Sequence, residues 1–182
     1  MFSTNAGASW TASKINSLDG SEATIAAIAP SNSNILYVGG RTGSYTALLY
    51  RSTNGGAGWT AIMNGFPSPP QAIAVDTQDP DIVFIACYGG LWRTANGGTS
   101  WTKCTLPVDT WGLKAVDINK NNPNQVFAGS TDGVFYSQDR GLTWSNISQG
   151  LTVPAVSGLS FNPTNKTLYA GTEGGGLWKR AI

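Results

Sequence analysis

The chain has 182 residues, with 11 Lys or Arg against 10 Asp or Glu, and its net charge of +1 gives no electrostatic reason to bind nucleic acid or an anionic membrane. No residue is His, which excludes His-based catalytic triads and most catalytic zinc sites, and we expect neither a metal nor another cofactor. A charged fraction of only 12%, together with 23 glycines and 10% aromatic residues, favours a sheet protein with many tight turns.

Neither a membrane span nor a secretion signal is evident in the chain. No apolar run is long enough to cross a bilayer, and the start MFSTNAGASW lacks the basic and apolar regions of a signal peptide. We expect a soluble protein, and we leave the compartment open because a leader absent from this chain would make it secreted. Cys87 and Cys104 are expected to be free thiols, since the strand layout below puts them about 9–10 Å apart, too far for a disulfide.

Four kinds of short segment follow one another along the chain. The first is TIAAIAP from Thr24, the second is ILYVGG from Ile35, and the third is ALLYR from Ala47. A polar turn that ends in Trp comes next, and the fourth segment begins at that Trp, as in GWTAIM. The segments are rich in β-branched and aromatic residues, are bounded by Gly, Pro, Asn or Asp, and lack a helical period, which predicts strands.

The same order of segments recurs in register. The later copies are QAIAVDT from Gln71, IVFIAC from Ile82 and GLWR from Gly90; then GLKAVDI from Gly112, QVFAGS from Gln125 and GVFY from Gly133; then SGLSFNP from Ser157, TLYAGT from Thr167 and GLWK from Gly176. A four-stranded unit of about 40–45 residues that repeats along a chain is typical of a β-propeller blade. The sequence therefore predicts an all-β propeller with four antiparallel blades.

The Trp-ending turn occurs four times in the sequence. Its copies are STNAGASW from Ser3, STNGGAGW from Ser52, TANGGTSW from Thr94 and SQDRGLTW from Ser137. We expect the side chains at the third position to accept hydrogen bonds from backbone amides inside the turn, and the Trp to fill the space between the hairpin and its sheet. The residues concerned are Asn5, Trp10, Asn54, Trp59, Asn96, Trp101, Asp139 and Trp144.

The two ends of the chain complement each other. The last repeat supplies three strands, 156–182, and stops, whereas residues 1–16 supply a turn and a final strand without the preceding three. Joining them completes a fourth blade, and such a shared blade leaves no unpaired edge. We therefore expect residues 1–182 to form a single four-blade unit in which the N-terminal strand acts as a latch.

The turn pattern Ser/Thr-x-Asp/Asn-x-Gly-x-Ser/Thr-Trp resembles the Asp-box, or BNR repeat. Three copies carry Asn in place of Asp, and Gly58 stands where Ser or Thr is usual. The resemblance implies a propeller of the kind found in sialidases, xyloglucan-degrading enzymes, sortilin-type receptors and photosystem II assembly factors. It also implies that the box is a structural hairpin away from the ligand face.

Propellers with this box typically have six to ten blades, whereas this chain encodes four. Two chains could form one eight-bladed C2 ring by exchanging their N-terminal strands, and we favour this homodimer. The alternatives are a compact four-bladed monomer and an engineered or excised part of a larger ring.

The ligand face is predicted from strand direction. The loops between the second and third strands, and those between successive blades, lie on one face, opposite the boxes, and loops on a rigid scaffold are where binding groups are expected. The candidate ligand-binding residues on these loops are Arg41, Tyr45, Tyr88, Asp109 and Trp111. Trp111 has no aromatic counterpart in the other repeats, which indicates either a sugar-stacking platform or packing between blades. Lys114 replaces an apolar residue of the innermost strand and is expected to face a central channel or to form an ion pair.

The sequence supports a catalytic function less strongly than it supports ligand binding by these loops. Glycosidases use two carboxyl groups about 5–10 Å apart, and Asp109, Asp132 and Glu173 are the candidates. Of the arginines, only Arg41 is placed on the ligand face, which argues against a sialidase. We therefore expect a non-catalytic binding or assembly scaffold whose ligand is a carbohydrate. The alternatives are a glycoside hydrolase of xyloglucanase type, whole or in part, and a protein-assembly factor. The expected partners are a second copy of the chain and a glycan.

Overall fold

A computed structural model describes residues 5–9, 11, 15, 22–62 and 65–182. In these ranges the ordered elements are all strands, and they form four antiparallel sheets. The first sheet contains β1 (Glu22–Ile28), β2 (Leu36–Arg41), β3 (Ala47–Ser52) and β4 (Thr60–Ala61). The second contains β5 (Pro70–Val75), β6 (Val83–Cys87), β7 (Gly90–Thr94) and β8 (Thr102–Lys103). The third contains β9 (Ala115–Ile118), β10 (Val126–Ser130), β11 (Gly133–Ser137) and β12 (Ser145–Asn146). The fourth contains β13 (Val156–Asn162), β14 (Thr167–Thr172) and β15 (Gly176–Ala181).

Each sheet is a meander in which consecutive strands are hydrogen-bonded neighbours. The innermost strands β1, β5, β9 and β13 contact one another in that order, so the sheets succeed each other as blades around an axis. The all-β prediction and the prediction of four blades are confirmed. None of the described segments forms a helix of membrane-spanning length and hydropathy.

Apolar side chains pack between successive blades, because alternate residues of a strand point to opposite faces of its sheet. The cluster between the first and second blades contains the buried Tyr37, Leu49 and Ile85. A second cluster, between the second and third blades, contains Phe84, Leu91 and Phe135, and a third, between the third and fourth blades, is centred on Phe127 and Leu168. Both faces of a central blade are therefore covered.

The Trp-ending turns are closed by their own side chains. The Asn54 side-chain oxygen accepts the Gly58 amide at 2.7 Å, Asn96 accepts Ser100 at 2.9 Å and Asn5 accepts Ser9 at 2.9 Å. In the fourth copy, Asp139 accepts the Leu142 and Thr143 amides at 3.0 and 2.8 Å.

The indoles of these turns reach further than the hairpin. Trp101 donates its ring N–H to the Ile62 carbonyl at 3.2 Å, and Trp144 packs edge-on against Phe84 with centroids 6.4 Å apart. Both contacts are with the preceding blade, and the Trp144 ring N–H also donates to the Gly141 carbonyl of its own turn at 3.1 Å. Trp59 is half-buried, and Trp10 lies outside the described residues.

Closure of the circle stays a prediction. The fourth sheet has three strands in the described ranges, and most of the segment predicted to complete it, residues 1–16, lies outside them. The latch, the single-unit boundary and the homodimer are therefore not decided by this structure. Both thiols are free; Cys87 is buried, Cys104 is half-buried, and burial raises the pKa of Cys104 to about 12.

Candidate functional site

The loops predicted to form the ligand face do adjoin one another. Tyr88, in the β6–β7 turn, pairs with Gly112 in the loop that enters the third blade, and the Gly89 amide donates to the Trp111 carbonyl at 2.8 Å. Thr131, in the β10–β11 turn, donates its amide to the Gly112 carbonyl at 3.0 Å. Backbone hydrogen bonds thus join the loops of the second and third blades into one surface.

A cavity of about 460 Å³ brings together three of the predicted ligand-binding residues, Arg41, Tyr45 and Tyr88. It lies where the first and second blades meet, and Pro69, Pro70 and Gln71 complete part of its wall. The Arg41 guanidinium stands 4.4 Å from the centre of the Tyr45 ring, within the range of a cation–π contact. The same guanidinium pairs with Glu22 at 2.9 Å, and this hydrogen bond raises the pKa of Arg41.

Tyr45 adopts an unusual backbone conformation. Its φ of 64° lies in the left-handed region, which costs energy for a residue with a Cβ. Hydrogen bonds from the Tyr45 amide to the Thr42 carbonyl and from the Thr42 amide to the Thr46 carbonyl, both 2.9 Å, hold the turn. This conformation leaves the Tyr45 side chain 66% exposed beside the cavity.

Trp111 presents most of its ring to solvent. Its exposure is 73%, and Tyr88, which lies against the same loop, is 43% exposed. Tyr45, Tyr88 and Trp111 therefore occur in sequence across the loops of the first, second and third blades. An exposed row of rings is an arrangement that binds the apolar faces of successive sugars.

Lys114 and Glu173 form an ion pair between the third and fourth blades. Their hydrogen bond raises the pKa of Lys114, and Tyr88 adds a smaller electrostatic contribution in the same direction. The ion-pair expectation for Lys114 thus matches the geometry. Glu173 is held by its partner and by the hydrogen bond from its amide to the Ala155 carbonyl at 2.8 Å.

Asp109 and Asp132 are exposed and, within the described parts of the chain, lie more than 4.0 Å from any described cationic group. Asp109 borders a separate cavity of about 360 Å³, which is lined by β7, β8 and the loop that follows β8 and also includes Lys103 and Thr110. Asp132 accepts a hydrogen bond from the Thr131 hydroxyl at 3.1 Å, and its amide donates to the Ser130 hydroxyl at 2.9 Å within the β10–β11 turn. The structure therefore places the two carboxylates on different loops.

Sequence reasoning missed two polar residues of this face. Gln71 lines the cavity beside Tyr45, and the hydroxyl of the buried Thr110 has no hydrogen-bond partner in the described structure. In the sequence, Gln71 follows Pro70 and Thr110 follows Asp109 in loops of the predicted ligand face. No motif separates these two residues from the other polar residues of the loops. Within the described ranges no group of three or more Cys, Asp or Glu side chains could hold a metal ion.

Comparison with known proteins gives relatives among enzymes that degrade xyloglucan. No family model matches the chain. It is 32% identical to a xyloglucanase of Paenibacillus sp. over 96 residues, which are 42% of this chain and 9% of that protein. It is 26% identical to a xyloglucanase of Hypocrea jecorina over 160 residues, 71% of this chain and 18% of the other. The chain thus spans less than a fifth of these relatives.

Solved structures show the same fold. The Niastella koreensis GH74 enzyme superposes with a TM-score of 0.72 and 22% identity, over 90% of this chain and 29% of that one. YCF48 from Cyanidioschyzon merolae superposes with a TM-score of 0.58 and 15% identity, over 85% of this chain and 51% of that one. These likenesses support the propeller fold. The sequence relatives, and not these structures, favour the glycoside hydrolase alternative over the non-catalytic scaffold that we expected first.

Proposed function

We propose that this chain provides blades of a xyloglucan-degrading propeller and that its loop face binds the polysaccharide. The observation that carries the proposal is the row of exposed rings, Tyr45, Tyr88 and Trp111, across three consecutive blades. The sequence similarity to xyloglucanases supplies the substrate class.

The charges of the face suit an uncharged polymer. Arg41 pairs with Glu22 and Lys114 pairs with Glu173, so two cations of this face are neutralised by carboxylates. Hydroxyl groups of a sugar can hydrogen-bond to such pairs and to Gln71, while the rings stack on its apolar faces. Selection of an anionic sugar would instead need unpaired arginines.

Catalysis by this face would fall to Asp109 and Asp132. Glycoside hydrolysis requires a carboxylic acid to protonate the leaving oxygen and a carboxylate that either activates water or attacks the sugar. Glu173 is less suited to either role because Lys114 holds its carboxylate. Asp109 is the better candidate of the remaining two, since it borders a cavity.

The test is binding and hydrolysis of xyloglucan oligosaccharides by the purified chain. Calorimetry should detect binding, and Trp111→Ala should weaken it about tenfold or more because a central aromatic contact is lost. Asp109→Asn should retain binding and abolish the release of reducing ends. Leu142→Ala is the control, because Leu142 is 68% exposed in a Trp-ending turn on the opposite face.

Three other outcomes are distinguishable. Binding without release of reducing ends would leave a carbohydrate-binding scaffold and remove the catalytic part of the proposal. Absence of glycan binding would overturn the proposal. The assembly-factor alternative, which the structural likeness to YCF48 bound to the D1 peptide favours, would require that a peptide bind instead.

A further inference from the structure

The faces that pack between blades follow one pattern on adjacent strands. On the side toward the next blade, the second strand carries an aromatic residue and then a small one, and the third strand carries an aliphatic residue and then a long polar one. The four sets are Tyr37, Gly39, Leu49 and Arg51; Phe84, Ala86, Leu91 and Arg93; Phe127, Gly129, Val134 and Tyr136; Tyr169, Gly171, Leu177 and Lys179.

In the first three blades this pattern is an interface. Leu49, Leu91 and Val134 are each 0% exposed because the next blade covers them. The long polar residue reaches the next blade in two cases: Arg51 pairs with Asp81, and Arg93 donates to the Arg140 carbonyl at 2.8 Å. A buried aliphatic residue therefore characterises all three junctions, and a polar link from the third strand characterises two of them.

The fourth blade carries the same residues on an open surface, which we call the trailing face (Tyr169, Leu177 and Lys179). Leu177 is 71% exposed, Lys179 is exposed, and Tyr169 is only half-buried. Leu177 is exposed, although the residues at its position in the other three blades are buried. Such an exposed aliphatic residue indicates a surface that binds a partner.

The first blade presents the complementary surface, the leading face (Ile28, Leu36 and Val38). Ile28 is 60% exposed, whereas its counterparts Val75, Ile118 and Phe161 are 7%, 5% and 7% exposed. Leu36 and Val38 are partly exposed, whereas the residues at their positions in the later blades are 0% exposed: Val83 and Ile85, Val126 and Ala128, Leu168 and Ala170. The leading face therefore corresponds to the side of a blade that receives its predecessor.

We propose that the trailing face of one chain docks onto the leading face of a second copy, and the reverse, to close a ring of eight blades. Among the residues that the structure describes, both faces are exposed on the same chain. The four blades also match 51% of the YCF48 chain, so that chain extends well beyond the length of these four blades. A head-to-tail contact repeated twice about a two-fold axis closes without free ends.

The docked geometry assigns a partner to Lys179. In the junction between the first two blades, Arg51 pairs with Asp81, which precedes β6. Asn34 stands at the equivalent position before β2, and its carbonyl accepts the Gly55 amide at 2.9 Å just as Asp81 accepts Gly97 at 3.0 Å. Lys179 therefore faces Asn34 of the second copy and can donate to its side-chain oxygen.

The mass of the full chain in solution tests the proposal. Sedimentation at concentrations from about 1 to 100 µM, which detects micromolar dissociation constants, should show twice the 19.1 kDa mass of one chain, falling on dilution. Leu177→Glu should raise the dissociation constant at least tenfold, because a charge would be buried in the contact. Leu142→Glu, at a residue of similar exposure (68%), should leave it unchanged.

A gain of affinity provides an independent arm. Asn34→Asp should tighten association about two- to fivefold at low salt by giving Lys179 an anionic partner, and Lys179→Ala should cancel that gain. If Leu177→Glu did not fold, Ile28→Glu would make the same test from the leading face. A chain that stays monomeric throughout, or that dimerises equally with Leu177→Glu, would overturn the proposal. Neither result would bear on glycan binding by the monomer.

Discussion

At the scale of single residues, one Trp-ending turn differs from the others by its charge. Asn54 and Asn96 accept the turn amides with neutral carboxamides, whereas Asp139 does so with a carboxylate. The Thr143 hydroxyl donates to Asp139, and with the Thr143 and Leu142 amides it lowers the pKa of Asp139 to about 2. Protonation at low pH therefore weakens the turn that contains Asp139, whereas the turns that contain Asn54 and Asn96 have no carboxylate to protonate at this position.

This difference predicts an acid-dependent loss of stability. The pKa of Asp139 is lower in the folded state than the usual 3.8, so its contribution is present above about pH 4 and is lost as the pH falls through about 2. Thr143→Val removes the strongest cause and should shift that loss to higher pH, while Asp139→Asn should flatten it. Urea unfolding between pH 2 and 5 measures the difference between variants, and identical slopes would contradict the assignment.

At the scale of elements, strand β9 is tied to β13 of the next blade by a carboxylate. Asp117 accepts the Phe161 amide at 2.7 Å through one oxygen and the Ile118 amide at 2.9 Å through the other. Burial of this carboxyl group raises its pKa, and the two amide hydrogen bonds act in the opposite direction. The hydrogen bonds from the Phe161 and Ile118 amides therefore replace part of the hydration that the carboxylate loses on burial.

Removal of this tie should destabilise the third and fourth blades together. Asp117→Ala leaves the Phe161 amide without its acceptor, and we expect the free energy of unfolding to fall by about 1–3 kcal/mol. Asp117→Asn keeps an acceptor and should cost less. Asp132→Ala, in an exposed turn, should change it by less than about 0.5 kcal/mol. Equal effects of the two alanine variants in chemical denaturation would show that the tie contributes nothing.

At the scale of the whole molecule, the blades differ in how many neighbours cover them. Strands β6 and β10 are buried at every residue, whereas every residue of β1 and β15 is exposed or half-buried. In repeat architectures each unit is stabilised mainly by its neighbours, so the terminal blades depend on whatever covers their outer faces.

Hydrogen exchange should reveal this dependence. Dilution of the associated chain to a monomer should speed amide exchange in β1, β2, β14 and β15. In the monomer, fewer packing contacts are lost when a terminal blade opens, so the free energy of local opening is lower. Exchange in β6 and β10 should not change over the same dilution. Uniform exchange rates at all concentrations would show that the outer faces are not covered by a partner.

The sequence alone determined the strands, their grouping in four repeats and the turn that closes each hairpin. These features are local: alternation, turn residues and side-chain-to-amide hydrogen bonds act within about ten residues, so they can be read along the chain. It also placed Arg41, Tyr45, Tyr88 and Trp111 on one face, because strand direction decides which loops share an end of a sheet.

Only the tertiary structure decided how those groups meet. The Lys114–Glu173 pair, the cavity shared by Arg41 and Tyr88, and the packing of Trp101 on the preceding blade join residues of different repeats. Such contacts depend on the distance and angle between whole sheets, which many side chains set jointly and no single motif encodes. For the same reason the exposure of Leu177, written in the same pattern as the buried Leu91, could be seen only in the folded molecule.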